Sequence, residues 1–113
     1  MARVAGSRAS KVSVAGVKRG TETLQAATLW LAANGLKNPN DAGAAATDYL
    51  RLMGITMLAL MWGMMAKASL GKDDRLHRDK LMCARYWMER MVPECPMLLE
   101  RIQAGSSVIM ELD

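Results

Sequence analysis

The chain has 113 residues, a formal net charge of +4, 51% hydrophobic residues and two cysteines, which is the size of one small domain with a lean core. Cys83 and Cys95 form no CxxC pair and have no neighbouring His, and no secretory apolar stretch follows Met1. This points away from a disulfide-stapled secreted fold and a Cys/His metal module, towards reduced thiols in a cytoplasmic protein.

Residues 1–20 hold Arg3, Arg8, Lys11, Lys18 and Arg19 and no acid, while the rest of the chain sets ten Lys and Arg against all eleven acids. The basicity therefore belongs to the leader, and the body is close to neutral. Built from Ala, Ser, Gly, Val, Arg and Lys, the leader is expected to be disordered. It also has the composition of a transit peptide or of a tail that touches phosphates nonspecifically.

The expected class is all-α, a four-helix up-down bundle over 21–113, since no stretch alternates apolar and polar residues as a half-buried strand does. The first helix spans about 21–34, with Leu24, Ala27, Thr28 and Leu31 on one face, Trp30 beside them, and Asn34-Gly35-Leu36 as its stop. Asn38-Pro39-Asn40-Asp41 starts the second helix, by a capping Asn, a Pro at the first helical position and an acid at the positive end of the dipole. It runs to about residue 70, before Gly71.

Between Arg51 and Lys67 stand fifteen residues, of which only Thr56 carries a polar side chain. A helix apolar all round must be covered all round. The charges at both ends and the short apolar run argue against a membrane span. Thr56, Ala59, Gly63 and Ala66 share one face and admit a close helix neighbour. The surface left over, Met53, Met57, Leu60, Met61 and Met64, is the expected association surface.

The third helix spans about 74–92, with Leu81, Ala84, Met88 and Met91 as its stripe and Pro93 as its stop. The fourth spans about 96–104, starting at Pro96 and closed by Gly105, with Val108-Ile109-Met110 as a short apolar tail.

Catalytic chemistry is hard to place. The single His77 suits a local hydrogen bond, no GxGxxG or GxxxxGK cradles a phosphate, and the carboxylates are scattered over polar faces. Trp30, Trp62 and Trp87 sit within apolar stripes and suit a core. The expected site therefore contains no catalytic, cofactor-binding or metal-ligating residue.

The run Ala44-Ala45-Ala46-Thr47-Asp48-Tyr49-Leu50-Arg51-Leu52-Met53-Gly54 resembles the extra C-terminal helical domain of acetyl-CoA dehydrogenase-like acyl-CoA dehydrogenases, the group with the 3-methylmercaptopropionyl-CoA dehydrogenases. Met61-Trp62, Met65-Ala66-Lys67-Ala68, Arg78-Asp79-Lys80-Leu81 and Ala84 to Glu94 continue the resemblance, which covers about 21–112. It implies a non-catalytic domain or fragment of an FAD-dependent oxidoreductase of fatty acid metabolism. In that family a carboxylate takes the α proton and flavin the hydride, in segments not matched here. The implied partner is the dehydrogenase catalytic body or a second subunit, with no nucleic acid and no membrane span. The competing reading is a stand-alone helical homodimeric interaction protein.

Overall fold

The computed structural model describes residues 2–112, and the side chains of 8 and 10–112. Expectations for Met1, Asp113 and the Arg3 side chain lie outside the described residues. Among the described residues every regular element is helical: α1 (Ala2–Asn34), α2 (Pro39–Ser69), α3 (Arg75–Tyr86), a π turn (Trp87–Met91), α4 (Glu94–Gln103) and the single turn α5 (Ser107–Met110).

In space these elements make three antiparallel rods, because α3, the π turn and α4 run one after another down α2. Ala66 clusters with Leu81 and Ala84, the Trp87 indole N–H donates to the Ile55 carbonyl at 3.0 Å, and Arg51 meets Glu94. Arg101 then pairs with Asp48 at 2.8 Å, and Ser106 bonds Asp41. The result is a narrow body with extents of 59 × 24 × 16 Å.

Helix α2 starts as its sequence predicts. Asn38 accepts from the Asn40 N–H at 3.1 Å, and Pro39 occupies the first turn. It stops at Leu70, and Gly71 takes φ 78°, a left-handed value glycine adopts without a side-chain penalty. The expected start of α4 at Pro96 moves to Glu94. Pro96 then lies inside the first turn, where its missing N–H leaves no bond unmade. Trp30, Trp62 and Trp87 are partly buried against the core, and His77 bonds Asp74 within α3's first turn.

The largest difference from expectation is at the amino end. Residues 2–20, expected as a disordered leader, form the first half of α1. The physical reason is a strip of small buried residues, Ser13, Gly16, Gly20, Thr23 and Ala27, spaced three and four apart. They let the α1 backbone approach closely. A Cβ on Gly20 would stand 3.2 Å from Thr56 Oγ1, and one on Gly63 3.2 Å from Val17 Cγ2. The Thr56 hydroxyl donates to the Gly20 carbonyl at 3.2 Å, which satisfies the one polar side chain of the apolar run. The close neighbour expected for the Thr56-Ala59-Gly63-Ala66 face is thus α1 at Thr56 and Gly63, while Ala66 also packs on α3.

The Arg51–Glu94 pair adds a second nitrogen–oxygen bond at 2.9 Å. The hydrogen bond from Arg51 holds the Glu94 carboxyl below its usual range. The folded pKa is the lower one, so the pair's contribution is complete above the unfolded value and is lost as pH falls through the depressed one. Glu94→Gln is therefore expected to lower the urea midpoint slightly at neutral pH and to make its fall below about pH 4.5 shallower, so that the two chains converge in acid.

Candidate functional site

Helix α2 carries two faces of opposite fate. Leu52, Thr56, Ala59 and Ala66 are buried against α1 and the third rod, with Gly63 half-buried beside Val17. On the other side Met53, Met57, Leu60, Met61 and Met64 are all exposed, Met64 by 58%. Only 28% of the most apolar eighteen-residue window of α2 is buried. By length and composition alone this helix could cross a membrane. The intramolecular cover expected for the apolar run is therefore incomplete.

The outer face stays apolar because the polar residues of α2 turn elsewhere. The Asp41 carboxylate accepts from the Ser106 N–H at 2.9 Å and from its hydroxyl at 2.7 Å. Asp48 pairs with Arg101, Arg51 with Glu94, and the Tyr49 and Thr28 hydroxyls lie 2.7 Å apart. Four residues that mark the start of α2 and its motif thus fasten α4, α5 and α1 to one side of the helix.

Beside the outer face lies a groove of about 680 Å³ between α1 and α2. Val14 and Val17 form one wall and Leu60 and Met64 the other, with Lys18 and Lys67 also in the lining. Leu60 and Met64 make the groove continuous with the methionine face. The α1 wall was missed in the sequence because it sits in the supposed leader, although its three-and-four spacing of small residues was there to read. A second hollow of about 440 Å³ surrounds Asp41 and Ser106 at the far end.

Reactive groups do not converge. Among the described residues no three His, Cys, Asp or Glu side chains gather as metal ligands. Both thiols are free, Cys83 exposed and Cys95 buried, and burial pushes the Cys95 thiol up, away from the nucleophilic thiolate. The residues present do not fit the flavin that the resemblance implies for the whole enzyme. A dinucleotide wants clustered backbone N–H donors for its pyrophosphate, and the larger groove offers chiefly Val, Leu and Met side chains. What this surface can do is exclude water against another apolar surface.

The family model described as acetyl-CoA dehydrogenase C-terminal like matches residues 1–113, the whole chain, including the twenty residues that the motif reading left unmatched. A search of curated proteins finds no match.

Proposed function

The chain belongs to the acetyl-CoA dehydrogenase C-terminal-like family, and on that premise we propose that it is a non-catalytic association domain of an acyl-CoA dehydrogenase-like enzyme, docking through the outer face of α2. The observation that carries this is the combination of a polar-free face with residues such as Met57, 50% exposed, and a groove running off its edge. Methionine side chains adapt to the surface they meet, which suits a docking face. Flavin binding and acyl-CoA oxidation belong in this reading to the enzyme body, and the free thiols suit a cytoplasmic setting.

The test mixes the purified chain with an acyl-CoA dehydrogenase-like flavoprotein from which the equivalent C-terminal domain has been removed. The chain alone is expected to be colourless, and to co-elute with the yellow body on size exclusion. Met61→Asp, which would bury an unpaired charge on docking, is expected to weaken that association at least ~30-fold. A flavin absorption band that stays with the pure chain after dialysis contradicts the non-catalytic reading. Unchanged co-elution of the Met61→Asp chain contradicts the docking face.

A further inference from the structure

The outer face of α2 is longer and more ordered than its methionines suggest. Gly43, Ala46, Leu50, Met53, Met57, Leu60 and Met64 follow one another at intervals of three and four, and every one is exposed. That is the spacing of a coiled-coil seam over three heptads, and among the described residues no element fills it. The seam is also graded: glycine and alanine stand at its start, and leucine and methionine fill its later two-thirds.

The surface area says how much is left to cover. A compact monomer of 12.4 kDa exposes roughly 6,100 Å² by the usual scaling with mass. This chain exposes 7610 Å². The surplus, roughly 1,500 Å², belongs to the elongated body as a whole, of which the seam is one part, and it leaves room for the ~800 Å² per partner of a standard stable interface.

Resting on the reading that this face associates, we infer that, where no enzyme body covers it, its partner is the same face of a second copy, with the two α2 helices antiparallel. The size gradient sets the direction. In the antiparallel register that centres the seam on Leu50 and Met53, Gly43 stands against Leu60 and Ala46 against Met57, so each small residue meets a large one. Parallel pairing would stack Gly43 on Gly43 and Met57 on Met57, leaving a void at one end and crowding at the other. Antiparallel helices also oppose their dipoles favourably. The seam carries no charge, so pairing buries no unpaired ion. In this register Met64 of one copy falls opposite Pro39 of the other, which leaves each α1–α2 groove at an end of the dimer.

The experiment uses the 113-residue chain with Cys83→Ser, Ala46→Cys and Met57→Cys, oxidised gently and mapped by mass spectrometry, beside sedimentation of the unmodified chain. The result expected is a species of twice the chain mass and a dominant intermolecular disulfide joining positions 46 and 57. Met57→Asp is expected to raise the dimer dissociation constant at least ~100-fold with helicity retained. Bonds joining 46 to 46 and 57 to 57 overturn the antiparallel order. So does a dimer that survives Met57→Asp. A monomer that binds a dehydrogenase body through Met61 overturns this inference and leaves the docking reading standing. Co-flotation of the chain with phosphatidylcholine vesicles in place of dimerisation overturns it in favour of lipid as the cover.

Discussion

Gly20→Leu is expected to lower stability by about 2–4 kcal/mol, read as a fall in the urea midpoint with an unchanged slope. The added side chain enters where a bare Cβ already comes within 3.2 Å of Thr56 Oγ1. It pushes α1 off α2 and breaks the bond from the Thr56 hydroxyl to the Gly20 carbonyl. Thr56 is buried, so its hydroxyl then lacks both water and a partner. Deleting residues 1–20 should cost more, because it uncovers the α2 surface around Gly63 and Ala66 as well. The control is Gly54→Ala. Gly54 also lies inside α2, but a Cβ there meets nothing within 4 Å, so the better helix former should add about 0.5–1 kcal/mol. A passive, disordered leader would make Gly20→Leu and the deletion neutral.

Leu52→Ala is expected to cost about 2–5 kcal/mol, while Met53→Ala, one residue on, stays within about 0.5 kcal/mol. Leu52 is fully buried, in a cluster with Ile55, Val92, Cys95 and Leu98 drawn from α2, α4 and the link between the π turn and α4. Removing its branched end leaves a cavity that α2 and the third rod would have to close together. Met53 points to the open side and makes no part of that cluster. Thermal unfolding of both variants in dilute protein separates the two faces of the helix. Equal losses would mean that the outer face is covered within the chain.

These contrasts show what could be read from the residues. The start of α2 was legible because Asn38-Pro39 states its own chemistry, and the inner strip because Thr56, Ala59, Gly63 and Ala66 repeat at helical spacing. The methionine face was legible as a surplus of apolar residues. Its start at Gly43 and Ala46 was not, because residues that small carry little hydrophobic signal. The same weakness hid the first half of α1. Ser13, Gly16 and Gly20 neither favour a helix strongly nor look apolar, and what orders them is contact with a helix far along the chain. The motif residues Asp48, Tyr49 and Arg51 identified the family and proved to be fasteners between rods. The start of α4 was misplaced because Pro96 can occupy more than one position of a first turn.

The central claim is that the outer face of α2 is covered when the protein is assembled, and the chain carries its own probes of this. Met53, Met57, Met61 and Met64 lie on that face, while Met82 on α3 is 64% exposed and lies off it. Brief peroxide oxidation, quantified residue by residue by mass spectrometry, reads the accessibility of each side chain. In the assembled protein the four α2 methionines should oxidise at least ~10-fold more slowly than Met82, and dilution to the monomer should bring them level. Oxidation of the four at the rate of Met82 in the assembled protein would contradict the account.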